Sequence, residues 1–244
     1  MKARIPDDNP IQAERLKMIE ELMKHPLEAD DSFSFRCDQC GECCKNRNDI
    51  ILSAFDLCRI AKHKNMELKD VIERYGYLYI GDTSRIPLIS LKMRTDNGEC
   101  PFLENNRCSI HYGKPAACAL FPLGRCAMRE ENGSTKIMYI MQPVECGAKD
   151  EQHTPREWMT EFDLEESEAW FSVWQETVFE ISEWIKKRID IIPSGKLNLT
   201  YGLMVNILYL RYDLDKPLTD QVESNKHYIM LMLDVLEQTL TKEN

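Results

Sequence analysis

Long apolar runs are missing from this sequence. Its apolar stretches are short and broken by charge, which excludes a membrane-spanning helix. An apolar signal region is missing between Met1 and Pro10, so nothing there points to secretion and a cytoplasmic protein is expected. Basic residues are outnumbered, 31 Lys and Arg against 41 Asp and Glu, for a net charge of −10. That balance argues against a general nucleic-acid binder, which needs a basic face for phosphates, and against docking on an anionic membrane. Histidine is scarce, with five in the chain. No G-x-G-x-x-G or phosphate-binding loop appears, and no C-x-x-C-H for covalent haem. The C-x3-C-x2-C spacing of radical chemistry on S-adenosylmethionine fails as well: Cys40-x3-Cys44 begins it, but position 47 is Arg. There are no internal repeats or low-complexity tracts, and residues 147–244 hold no cysteine at all.

What is present is cysteine elsewhere. The chain has ten, nine of them between Cys37 and Cys126 and the tenth at Cys146. In a chain of 244 residues without a secretory signal, that count points to metal ligation or redox chemistry rather than to disulfide staples. The densest stretch is Cys37-x2-Cys40-Gly41-x-Cys43-Cys44. A packed core has no need of four thiols in a polar loop. A metal centre does, because thiolates must converge on one point, and thiols three residues apart can offer successive sulfurs to a cluster or to a zinc ion. Adjacent side chains usually diverge, so Cys43 and Cys44 are not expected to serve the same atom of one centre. A second group, Cys100, Cys108, Cys118 and Cys146, brings the candidate ligands to eight, enough for two four-cysteine sites or for one site and a redox pair. Cys58, on a helix between Leu57 and Arg59, and Cys126 read as small buried hydrophobes. His111 is the one histidine near the group, a candidate ligand or proton donor. Asp38 and Glu42 lie inside the loop and read as solvated charges.

The rest of the chain frames these thiols. Asn9-Pro10 starts a helix over about Ile11 to Lys24, a brace or lid. Ile50–Leu52 reads as a short strand. Ser53 and Asp56 resemble a capping box for a helix to about His63, and Met66–Tyr75 as another helix ended by Gly76. Tyr77–Ile80, Pro87–Met93 and Lys136–Met141 read as strands, with Asp96-Asn97-Gly98 a turn and Asn105-Asn106 the tip of a tight hairpin. Pro115 and Pro122 favour extended or turn backbone around Cys118. After Pro155 the pattern is helical: Leu164–Ile189, Leu199–Tyr212 and Val222–Leu240. The tryptophan stripe of the first reads as core rather than as a cofactor pocket. The expected fold is α+β: a small irregular cysteine-rich metal-binding region with short strands and hairpins, packed with N-terminal helices and a helical C-terminal region. The expected divisions are 1–34, 35–150 and 151–244.

With these residues in view, the chain resembles the YkgJ-type cysteine-cluster family, often described as zinc- or iron-chelating or as Fe–S-cluster-containing proteins. The family pattern is C-x2-C-G-x-C-C, a helix carrying an Asp, then C-x-F-L, C-x-I-Y and R-P-x2-C-R-x-F-P. Here it reads Cys37 to Cys44, Asp56, Cys100-Pro101-Phe102-Leu103, Cys108-Ser109-Ile110-His111 and Lys114-Pro115-Ala116-Ala117-Cys118-Ala119-Leu120-Phe121-Pro122. Cys146-Gly147 stands where the family has a late Cys-Pro-Gly. His111 replaces the family Tyr, and Lys114 and Ala119 replace family Arg residues, which weakens any anion-binding or charge-shielding role those arginines have. The resemblance implies a cytoplasmic protein with an iron–sulfur cluster, 4Fe-4S in type, or zinc as the alternative. Three functions stay open: electron transfer or another redox reaction with a redox or protein partner; a zinc-stabilised interaction module; and a cluster-dependent enzyme like the flagellin lysine N-methylases to which some relatives are linked.

Overall fold

The computed structural model describes residues 17–47, 49–131 and 134–242. Residues 17–22 are helical (α1), and the expected start of that helix at Asn9-Pro10 lies outside the described residues. Beyond it, Leu27 makes an antiparallel bridge to Tyr139, and Phe33–Arg36 form strand β1.

Local rules account for the middle of the chain. β2 (Ile51–Leu52) leads into α2 (Ala54–Lys64) through the expected capping box. The Ser53 N–H donates to the Asp56 carboxylate at 2.8 Å, and the Asp56 N–H donates back to the Ser53 hydroxyl at 3.3 Å. Asn65, at φ 51°, ends the helix. α3 (Leu68–Tyr75) turns straight into β3 (Gly76–Ile80), where any side chain at Gly76 would meet the Ile72 carbonyl at 2.8 Å. β4 (Pro87–Leu91) pairs with both β2 and β3, giving a three-stranded antiparallel sheet of order β2-β4-β3. β5 (Leu103–Glu104) and β6 (Arg107–Cys108) form the expected hairpin, and Asn105 and Asn106 take its two left-handed positions at φ 50° and 59°.

Two further strands, Leu123–Arg129 and Ala148–His153, have no clear signal in the sequence. β7 (Leu123–Arg129) pairs along its whole length with β8 (Thr135–Met141), although it carries arginines at both Arg125 and Arg129. β9 (Ala148–His153), an almost wholly polar strand, pairs with β1. A strand whose side chains meet solvent has no apolar alternation to betray it. Cys118 departs from the expected extended or turn backbone as well: it sits in α4 (Ala116–Ala119), one helical turn opened by Pro115.

The C-terminal helices cover this sheet region. α5 (Pro155–Glu161) has its own Thr154–Glu157 capping box. α6 (Glu166–Lys186) is followed by α7 (Ser194–Val205), which runs into a π-helical turn at Asn206–Leu210, and by α8 (Leu218–Lys242). Their aromatic stripe is core. Trp170 and Trp174 stack with centroids 5.1 Å apart, Phe55 of α2 meets Trp170 at 5.6 Å, and the Tyr209 hydroxyl donates to the Pro87 carbonyl at 3.1 Å. One continuous cluster of buried side chains therefore reaches from Phe33 and Leu57 to Trp170 and Leu240. The fold is α+β, and among the described residues no helix is long and apolar enough to cross a membrane.

Candidate metal centre

β1 delivers Cys37 to the cysteine loop. Gly41 has φ +77°, and a Cβ there would stand 3.3 Å from the Asn106 carbonyl, so the loop lies directly on the tip of the β5–β6 hairpin. A single 3-10 turn over Glu42–Cys44 follows. Its last residue is tied to the second cysteine group by the Cys100 N–H, which donates to the Cys44 carbonyl at 2.7 Å. The adjacent thiols do not diverge as expected. The tight turn directs both to the same side, with the Cys43 and Cys44 sulfurs 4.0 Å apart.

Cys118 is held from three directions. The buried Asp56 carboxylate accepts from the Ala116 N–H at 2.7 Å with one oxygen while the other serves the α2 cap. The Trp158 indole N–H donates to the Ala119 carbonyl at 3.1 Å. The Arg59 guanidinium donates to the carbonyls of Lys114 (3.2 Å), Tyr112 (2.7 Å) and Phe162 (3.0 Å). A carboxylate, an indole and a guanidinium thus fix the backbone on both sides of one thiol.

Cys146 is placed by the clasp of β1 and β9. Arg36 pairs with Ala148, so the chain leaves this clasp toward Cys37 on one strand and toward Cys146 on the other, and the Cys146 thiol lies near that of Cys40. Between Cys146 and β9 stands Gly147 at φ +78°, where a Cβ would lie 2.4 Å from the Phe35 ring and 2.7 Å from the Arg36 carbonyl. Gly147→Ala therefore combines a left-handed backbone with an overpacked contact, and a loss of about 2–4 kcal/mol is expected. The urea midpoint measures it; a loss below about 1 kcal/mol would mean that the clasp yields easily.

Cys43, Cys44, Cys100, Cys108 and Cys118 lie near one another in one basin, and Cys146 lies near Cys40 and Cys43. Cys43 is raised above the ordinary thiol range by its bond to Cys44, then by burial. Cys44 is pushed up to about 11, chiefly by its bond to Cys100. Burial raises Cys118, and the neighbouring Cys44, Cys43 and Cys108 add to the effect. Two cations face the same basin. Lys114 lies close to Cys118, Cys108, Cys37 and Cys43, with its ammonium 3.9 Å from the centre of the Phe162 ring. Arg47 interacts with Cys118 and Cys43 while both of its ends are held by Asp49, at 2.7 and 2.9 Å. Among the described residues no three His, Cys, Asp or Glu side chains converge tightly enough to enclose one ion. The donors that lie together are nonetheless thiols, flanked by cations. That set suits a thiolate-bound centre, whose negative charge the two cations offset.

The remaining candidates lie elsewhere. Cys58 is fully buried in the core of α2 and pushed up to about 12 by that burial. Cys126 sits on β7 opposite Met138. Cys58→Ala and Cys126→Ser are expected to leave metal content unchanged, and a drop in metal per chain in either variant would return that thiol to the basin. His111 stacks edge-on against Phe162 and Tyr112. Asp38 pairs with Arg36 and Glu42 with Lys45, both at the exposed rim. The residues missed from the sequence are Arg47, Arg59 and Trp158. Only Arg59, one turn from Asp56 on the same helix, carried any local hint.

Thiols gathered by a short glycine loop, a hairpin and a clasped pair of strands are the kind of donor set that a cysteine-cluster metal-chelating domain offers. The model of the CxxCxxCC family, described as "Putative zinc- or iron-chelating domain", matches residues 36–156, and through that segment the chain belongs to this family. Comparisons with curated proteins and with solved structures found no match. Membership supports metal binding.

Proposed function

We propose that the basin holds one or two iron–sulfur clusters through Cys37, Cys40, Cys43, Cys44, Cys100, Cys108, Cys118 and Cys146, and that the protein transfers electrons or supports a redox reaction of a partner. What supports this reading is the closeness of Cys43, Cys44, Cys100, Cys108 and Cys118 to one another and to the cations Lys114 and Arg47. A multi-iron cluster spreads its ligands over several metal atoms, each taking one protein sulfur, so it asks for many thiols at moderate separation. A lone zinc ion asks for four donors drawn tightly together. Cys37 and Cys40 are exposed, which gives a bound cluster an edge toward solvent where a redox partner can approach. When bound, the cluster supplies a site that accepts and releases single electrons. The chain's own part is to hold the thiols, offset their charge and keep the Cys100 and Cys118 side under Phe102, Trp158 and Phe162.

The test is anaerobic expression followed by measurement of iron, acid-labile sulfide and zinc, with an absorption spectrum. Iron and sulfide in matching amounts, with a broad visible band that bleaches on reduction, are expected. Colourless protein with stoichiometric zinc would replace this reading with that of a zinc-stabilised interaction module.

A further inference from the structure

The basin's two cations are not equivalent. The Arg47 guanidinium is paired end to end with Asp49, so much of its charge is answered by a carboxylate before it reaches the thiols. Lys114 has a different setting. Among the described residues no carboxylate pairs with its ammonium, which rests on the Phe162 face and lies near the thiols of Cys118, Cys108, Cys37 and Cys43. Its backbone is equally fixed: its carbonyl accepts from Arg59, and Pro115 follows it directly into the Cys118 turn. A charge held on a rigid segment and shielded from water by an aromatic ring acts at higher strength than one in solvent.

We propose that Lys114 is the resident counter-charge of the centre and the residue that sets its reduction potential. The inference rests on the iron–sulfur reading above. Adding one electron makes a thiolate-bound cluster one unit more negative, and a fixed neighbouring cation favours that reduced state. Net charge near the cluster is one of the levers by which a protein tunes its potential. Sequence comparison alone suggested that lysine in place of the family's arginine weakens a shielding role. The lysine ammonium nonetheless lies near four thiols. Its compact charge and flexible stem suit a point contact, where a guanidinium fork would suit a planar anion.

The experiment compares wild type with K114M, K114Q and K114R, all prepared anaerobically, by iron and sulfide content and by a redox titration of the visible band. K114M is expected to keep its cluster and to shift the reduction equilibrium at least tenfold toward the oxidised form, which for one electron is 59 mV. K114R is expected to stay within threefold of wild type. A K114M shift smaller than tenfold overturns the proposal, as does a shift in K114R as large as that in K114M. If K114M does not load, K114Q takes its place under the same criterion. If neither neutral variant loads while K114R does, the centre requires the charge and the proposal stands; if K114R also fails to load, the position requires the lysine's shape and the proposal falls. A wild-type protein that holds zinc would instead refute the proposed function, before any Lys114 variant is measured.

Discussion

Replacing Cys118 by serine is expected to cost the protein most of its bound metal. Serine keeps the size of the side chain, so packing changes little, but an alkoxide is not available at neutral pH where a metal-bound thiolate is. No other residue can take over. The one-turn helix Ala116–Ala119 is pinned by Asp56, Trp158 and Arg59, so the backbone cannot slide to offer a neighbour, and its neighbours are alanines. Metal per chain should fall severalfold, and any residual cluster should be lost on brief exposure to air or chelator. Metal content equal to wild type would remove Cys118 from the ligands and leave it a buried hydrophobe.

The second large effect is expected at Asp56, which touches no thiol through its own hydrogen bonds. Its carboxylate is buried and accepts from the Ser53 N–H, the Ser53 hydroxyl and the Ala116 N–H, at 2.8, 2.7 and 2.7 Å. Asp56→Ala loses the carboxylate half of the capping box and leaves the Ala116 N–H without its partner inside the protein. Together these losses come to about 3 kcal/mol. Asp56→Asn keeps one carbonyl oxygen but turns an amide donor toward either the Ser53 N–H or the Ala116 N–H, so it should recover only part. Urea midpoints measure the stability loss, and metal content in the same variants should drop with it because the Cys118 turn loosens. An Asp56→Ala protein with wild-type stability and full metal would show that Pro115 and Arg59 fix the turn unaided.

Residues whose reasons are local were the legible ones. Four cysteines in a polar loop cannot be explained by packing, so Cys37 to Cys44 announce a shared purpose. The Ser53–Asp56 cap and the Asn105-Asn106 turn obey rules confined to a few residues. The tryptophans of α6 repeat at helical spacing and become core. What the sequence hid is set by partners far along the chain. β9 is polar because its side chains face solvent, and only its pairing with β1 makes it a strand. Trp158 looks like any core aromatic until its indole N–H meets the Ala119 carbonyl, 39 positions away. Asp56 is visible as a cap, while its second duty at Ala116 depends on a contact across 60 positions. Cys43 and Cys44 lie closer together than the divergence of average neighbours suggests, because a 3-10 turn opened by Gly41 leaves their sulfurs 4.0 Å apart.

The β1–β9 clasp also has a consequence in time. Arg36 and Ala148 are paired in the finished fold but more than a hundred residues apart in order of synthesis. At translation rates of about 5–20 residues per second, the glycine loop waits roughly 5–20 s before its closing strand exists. For that interval the nascent chain carries four thiols with no clasp, open to stray metal and to oxidation. On the proposed reading, assembly of the centre is therefore a late step of biogenesis, and a chain interrupted before β9 is left with an open loop rather than a weakened version of the finished site.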